Sequence, residues 1–377
     1  MTGHLRQRSP GSWEIKLDIA RDPFSGARRT RYFTVKGGKK AAQAELRRLL
    51  ATVDEGRFVE TSRLTVAQYL EQWLADHARH RVSGKTFERY AELLRLHVVP
   101  VIGSQPLART EPLHIQFCHS AMRHRGLSAQ TIKHCHWVLS QGLKQAVRLR
   151  LIANNPAAAV DAPRVARIEM KVLDQAQTAA LLRAAEKSTI YAPVLLAVTT
   201  GMRRGEILAL HWKDVDLDRR NLSVAQTLEE TKAGGLVFKT PKTERSRRVI
   251  TLPAIAVDAL RQHRIRQAQD RLRAGLLWGD HDLVCCRPDG MPLSPRKLSK
   301  TFTALSRRLG LGIRFHELRH THMSHLLAAG VHPKVASERA GHASVSITLD
   351  VYSHLIPGMQ EDAANRIDAA LRAHLDR

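Results

Sequence analysis

The chain is poor in cysteine, with four in 377 residues: Cys118, Cys135, Cys285 and Cys286. None forms C-x-x-C and the last two are adjacent, so they build neither a disulfide framework nor a zinc finger, and a reducing interior fits. A long apolar run is also missing, and no basic amphipathic anchor stands out, which argues against a membrane partner. Behind the basic N-terminus MTGHLRQRSP no apolar stretch follows, so no signal peptide is expected and a soluble, cytoplasmic protein is. No P-loop is present. Acidic residues are the last shortage. Asp and Glu number 35 against 60 Lys and Arg, a net charge of +25. A field of that sign attracts polyanions, and nucleic acid is the leading partner class.

Hydrophobic residues make up 43% of the chain, enough to bury real cores, and the length suggests two or three domains. Residues 1–60 read as a small sheet plus one helix. SWEIKLDIA alternates, with Trp13, Ile15, Leu17 and Ile19 on one face; DPFSG has turn chemistry; RRTRYFTV is a second strand; KKAAQAELRRLLATVDEG is a helix. Residues 21–40 hold seven basic residues and one acid. A charged strand with Tyr32 suits a DNA groove or, equally, a solvated basic face. Residues 63–160 are helical. Thr65 caps a helix with Val66, Tyr69, Leu70, Trp73 and Leu74 on one face; a second, near 85–97, has Phe87, Tyr90, Leu93 and Leu94; a third starts at Ser128 and turns Ile132, Trp137, Val138 and Leu143 inward. APRVARIEMKV reads as a linker. From 170 to 377 a helix capped by Asp174 is followed by hairpin strands, with turns at Gly234-Gly235 and around Lys242–Arg245. Helices follow near 253–273, 295–308, 316–329 and 333–340.

The chemistry gathers in this last segment. In TTGMRRGEILALHW, Arg203 and Arg204 sit at a helix start, the end where the dipole disfavours cations, so an anion is expected beside them. Glu206 can orient Arg203. In FHELRHTHMSHLL two constellations overlap. His316-Glu317-x-x-His320 has the spacing of a zinc peptidase, with Glu338 a possible third ligand. His316 and Arg319, three apart, instead suit a phosphate. Further on stand His342, after a Gly at a helix end, and Tyr352. A tyrosine becomes a nucleophile where cations stabilise its phenolate and a base takes its proton. Lys242, on a turn, can reach the minor groove and protonate a leaving oxygen. Taken singly, each has a bland explanation as a solvated or core side chain.

TGMRRGEILAL, PKT…SRR, HELRHTHMSHLLAAGVHPKVASERAGH and SITLDVYSHL, in that order, resemble the boxes of the tyrosine recombinases of the phage integrase family. The resemblance spans essentially the whole chain. It implies a multidomain α+β fold: an arm-type DNA-binding sheet-and-helix domain (1–60), a SAM-like helical core-binding domain (63–160), and a mainly α catalytic domain with β-hairpins, the DNA breaking-rejoining fold (170–377). It implies that Arg203 and Arg319 clamp the scissile phosphate, Lys242 is the general acid, His316 and His342 assist, Tyr352 attacks to form a 3′-phosphotyrosine, and Glu206 supports Arg203. Arg28, Arg29, Arg31, Lys36, Lys39 and Lys40 are the arm domain's DNA-binding candidates. The implied partners are double-stranded attachment-site DNA, three further copies in a homotetramer, and accessory bending or directionality factors. The implied location is the nucleoid. No metal, cofactor or ATP is expected, since arginines stabilise the added negative charge and the phosphotyrosine conserves the bond energy. Ala340 stands where the family often has Leu. The C-terminal helix EDAANRIDAALRAHL, with Ile367, Ala370 and Leu371, suits docking on a neighbour or on its own core. A DNA-binding regulator and a zinc peptidase are the competing classes.

Overall fold

A computed structural model describes residues 3–21, 28–54, 63–166, 170–240, 247–342 and 344–352, and a few of 364–372. The DPFSG turn, Lys242 and most of the C-terminal helix lie outside the described residues. The chain divides into two compact units, Met1–Arg167 and Ile168–Arg377.

In the first unit, strands β1 (Gly3–Ser9), β2 (Ser12–Arg21) and β3 (Arg28–Lys36) form an antiparallel sheet in the order β1-β2-β3. The alternation of β2 places Ile15 and Leu17 against helix α1 (Lys39–Asp54), which contributes Leu49 and Val53 to the same small core. The other face is open, and the register sets His4, Lys16 and Tyr32 side by side across it. Strand β1 has no counterpart in the sequence reading, because its GHLRQRS is too polar to alternate visibly.

The helical part of this unit begins at Thr65, whose hydroxyl accepts from Gln68 N while Gln68 returns the bond to Thr65 N. Helix α2 (Val66–Trp73) runs through a π turn (Leu74–Ala78) into α3 (Arg79–Arg81); α4 (Gly84–Leu93) runs through a second (Leu94–Val98) into α5 (Val99–Ile102). The second π turn precedes Pro100, which has no N–H to continue the α ladder. Helices α6 (Pro112–His124) and α7 (Ala129–Arg148) complete a bundle packed on Leu70, Leu94, Ile115, Ile132 and Leu143. Trp137 corrects the sequence reading: it is 50% exposed, on the outer side of α7. Tyr69 reaches across the core to donate to Gly142 O at 2.7 Å.

The second unit opens with α8 (Gln175–Ala185), capped by Asp174. Helix α9 (Tyr191–Thr200) follows, buried on nearly every side; its unbroken YAPVLLAV carries no 3.6-residue periodicity for a sequence reading to find. After α10 (Arg204–Leu208), strands β4 (Val215–Asp216) and β5 (Asn221–Val224) form a hairpin, as do β6 (Thr227–Thr231) and β7 (Gly235–Lys239). Strand β8 (Arg248–Thr251) pairs with β5 and not with β7. The strands on either side of Lys242, β7 and β8, therefore belong to different sheets and are not the two arms of one hairpin. Helices α11 (Ala254–Ala274), α12 (Pro295–Arg308), α13 (Glu317–Ala328), α14 (Pro333–Ala340) and α15 (Val345–Tyr352) complete the unit.

Candidate active site

Helix α9 ends at Gly201, in the left-handed region at φ 66°. Only glycine fits there, since a Cβ would come within 2.6 Å of His322 Cδ2. The turn presents Gly201 O to Arg319 Nη1 at 2.7 Å, which fixes a guanidinium that is otherwise 4% exposed. It also places Arg203 as the N-cap of α10. Arg203 N and Nη1 donate to the two carboxylate oxygens of Glu206, each at 2.9 Å, and its Nη2 donates to Gly341 O at 2.8 Å. The neighbouring arginines part company here, because Arg204 turns away to Ser299 Oγ.

The anion expected beside Arg203 is present within the chain. Glu206 is 4% exposed and is shared with Arg248, whose Nη2 and Nη1 reach it at 2.9 and 3.3 Å. Burial pushes the Glu206 carboxyl up, but the hydrogen bond and charge of Arg248, together with Arg203, outweigh it and hold it below the usual carboxylate value. Arg248 Nε donates to Arg339 O at 2.7 Å. Arg339 in turn donates to Thr199 O at 2.9 Å and to His322 Nε2 at 3.2 Å, so His322 carries its proton on Nδ1, facing Val198 O at 2.9 Å. Four carbonyls at helix ends, of Thr199, Gly201, Arg339 and Gly341, thus accept from guanidinium groups, the arrangement the helix dipole favours.

His316 stands at the head of α13, exposed on one side. Partial loss of water, then the charges of Arg319, Arg203 and Arg314, hold its pKa below the ordinary histidine value. His342 is pushed down to about 4 by burial and then by Arg319, Arg203, His320 and Arg248. Both imidazoles are therefore neutral at pH 7 and share the field of the same two arginines. His342 Nδ1 bonds Thr348 Oγ1 at 2.8 Å, which ties it to α15. Tyr352 is four residues farther on, at the end of that helix. Its side chain, like Lys242 and the side chains of Arg28 and Arg29, lies outside the described residues.

The zinc spacing leads elsewhere. His316 and His320 meet edge to face, with ring centroids 5.1 Å apart, while Glu317 is engaged by Arg314 Nη2 at 2.7 Å and Nε at 3.1 Å. Glu338 is exposed, and among the described residues no three His, Cys, Asp or Glu are grouped to hold a metal ion. Arg31, Lys36, Lys39 and Lys40 are exposed, but the register puts Arg31 opposite Leu17, on the sheet face that α1 covers. His4, Arg6 and Lys16, which the sequence reading passed over, belong to the open face.

Arg248, Arg339, His322 and Thr348 were not singled out from the sequence. Arg248 left a signal: stepping back by two from the buried Leu252 and Ile250 reaches it, so strand alternation turns it inward. Arg339 and His322 left none, since an amphipathic helix in a basic chain carries many such residues.

The family model described as the phage integrase family matches residues 171–358, and that of the phage integrase N-terminal SAM-like domain matches 65–122. A tyrosine recombinase XerC-like protein of Caldanaerobacter subterraneus subsp. tengcongensis is 26% identical, over 94% of this chain and 95% of that one. Among solved structures, the Tn1549 transposon integrase in complex with a circular intermediate DNA is 21% identical with a TM-score of 0.67, covering 81% of this chain and 99% of that one. A lambda integrase tetramer bound to a Holliday junction is 19% identical with a TM-score of 0.58, covering 92% and 94%. These structures share the multidomain α+β fold seen here. The arginine-rich cluster between α9, α13 and α14 falls within the matched region, and the chain belongs to the phage integrase family, the tyrosine recombinases that break and rejoin DNA.

Proposed function

We propose that this protein is a site-specific recombinase that cuts and rejoins DNA through a 3′-phosphotyrosine, integrating or excising a mobile element. The observation that carries the reading is that Arg203 is held on Gly341 O, next to His342, while Arg319, one turn from His316, is held on Gly201 O, two residues before Arg203. The arginines hold the scissile phosphate and stabilise the charge gained in the pentavalent state. The Tyr352 hydroxyl attacks phosphorus and gives its proton to a neutral imidazole; the P–O5′ bond breaks and the 5′ oxygen takes a proton from Lys242. One phosphodiester is exchanged for another, so resealing needs no ATP. Arrival of the phosphate offsets the arginine charges and raises both histidines toward the range useful in acid–base exchange. His342, with Nδ1 engaged by Thr348, offers Nε2 to the phosphate.

Residues 1–60 act as the arm-binding domain, reading DNA through the open sheet face around His4, Arg6, Lys16 and Tyr32, with Lys36, Lys39 and Lys40 at its border. Residues 63–160 grip the core site, and 170–377 perform the cleavage. Four copies act on two duplexes, as the tetrameric lambda integrase supports. The work is done on chromosomal DNA in the cytoplasm; among the described residues no helix is long and apolar enough to cross a membrane.

The test is covalent trapping on nicked duplex taken from DNA flanking the protein's own coding region. Wild type is expected to give a DNA-linked band on a denaturing gel, and Tyr352→Phe to bind the same DNA without one. A band that persists in the Phe variant rules out Tyr352 as the nucleophile.

A further inference from the structure

The helical part of the first unit carries a cavity that strand cleavage does not use. It holds about 230 Å³ and lies between the α2–α3 helix, α4 and the outer side of α7. Its floor is aromatic. Trp73 and Tyr90 lie nearly parallel, at 10°, with centroids 6.3 Å apart; Trp137 meets Tyr90 edge-on at 5.8 Å; His77 stacks on Trp73 at 6.4 Å. Its rim is cationic, with Arg81, Lys144 and Arg148 and no Asp or Glu. After burial, Arg81 and Arg148 are what hold His77 below its ordinary pKa, so these charges bear on the cavity itself. On α7, residues 137, 141, 144, 145 and 148 recur at helical spacing, a stripe separate from the Ile132, Leu139, Leu143 and Ala146 side that packs the core.

Core packing leaves two features unexplained. Trp73 is 5% exposed, yet its indole N–H has no partner among the described residues. A buried donor of that kind is uncommon, because leaving it unpaired is costly. Trp137 keeps half its surface in water although it stands beside two aromatic rings.

We propose that this cavity binds one nucleotide unit, an aromatic base carrying a phosphate. The base stacks against Tyr90 and Trp137, and the phosphate meets Arg81, Lys144 and Arg148. The rings and the cations of the site then each have a use. An acidic peptide would meet the cations but leave the rings idle, and an apolar helix would strip water from three cations without pairing them. Bases inside a duplex hide their faces, so the ligand is either an unstacked base within a DNA strand or a free nucleotide. The inference does not rest on the recombinase reading, since no residue of the arginine–histidine cluster lines the cavity.

The test uses the full-length protein and a short labelled single strand, compared with the same strand carrying abasic sugars, by fluorescence anisotropy. The intact strand is expected to bind on the order of 10-fold more tightly, the contribution of one stacked base. Trp137→Ala should erase that difference and Trp137→Phe should restore it. Lys144→Glu, an exposed substitution, should weaken both strands alike. A deoxynucleoside monophosphate separates the two sources: displacement of the strand assigns the cavity to free nucleotide, and its failure to displace assigns it to a base in a strand. Equal binding of intact and abasic strands by wild type overturns the proposal, as does a difference that Trp137→Ala leaves in place. A concentration-dependent dimer lost on Trp137→Ala, with no base dependence, would give the cavity to a second copy and overturn it too.

Discussion

Glu206 has two guanidinium partners and almost no water, so its charge is fixed by structure. Removing that charge would leave Arg248, whose side chain is 7% exposed, as a buried cation without its carboxylate. Glu206→Gln is therefore expected to lower stability by about 3 kcal/mol, the usual cost of breaking one side of a buried pair. A urea melt checks it through a lower midpoint at unchanged slope. Because Arg203 loses the same support, the rate of covalent trapping should fall as well, on the order of 10²-fold as for loss of a preorganised donor. A Gln variant with wild-type midpoint and rate would show that the carboxylate is not what holds the two arginines.

The C-terminal end of α14 is where separate elements meet. Arg203 from the α10 cap and Arg248 from β8 both donate to its last carbonyls, and His342 follows directly. Gly341 makes this possible: its φ is 66°, and a Cβ there would stand 2.9 Å from Arg248 Nη1. Gly341→Ala should cost roughly 1–2 kcal/mol from the left-handed backbone. By displacing Arg248 and His342 it should slow cleavage more than it weakens DNA binding, which single-turnover trapping beside a binding titration would read. Equal losses in the two would refute the positioning role. Such meetings explain what the sequence left legible. Local signals were readable: the Thr65 and Asp174 caps, the alternation of β2, the spacing of His316 and Arg319. Partners distant in the chain were not. Strand β8 crosses to β5 because of tertiary pairing, so Lys242 looked like a hairpin residue. Helix α9 lacks a polar face and was passed over, and Trp137 was assigned inward because an aromatic at helical spacing has the same signature on either side of a helix.

Across the whole molecule, a charge of +25 has two measurable consequences. DNA affinity should fall steeply with salt, with log affinity linear in log salt concentration and a slope set by the phosphates neutralised; a flat response would contradict the basic-surface argument. The second consequence is in pH. His119, His320, His322 and His342 are each pushed down to about 4, by burial first and then by neighbouring cations or imidazoles. A folded-state pKa below the ordinary 6.5 means that the unfolded chain takes up protons the folded one refuses. Stability is then fully present above about 6.5 and is lost as pH falls toward about 4. The carboxylates do not confuse this window, because Glu206 and Glu317 are themselves held below 4.5 and release their contribution only at lower pH. The melting temperature should therefore be level from about pH 8 to 6.5 and decline from there, well before acid reaches the carboxylates. A level melting temperature down to about pH 4.5 would mean that these imidazoles take up protons in the folded protein as readily as in the unfolded chain, so that neither burial nor the neighbouring cations hold them below 6.5.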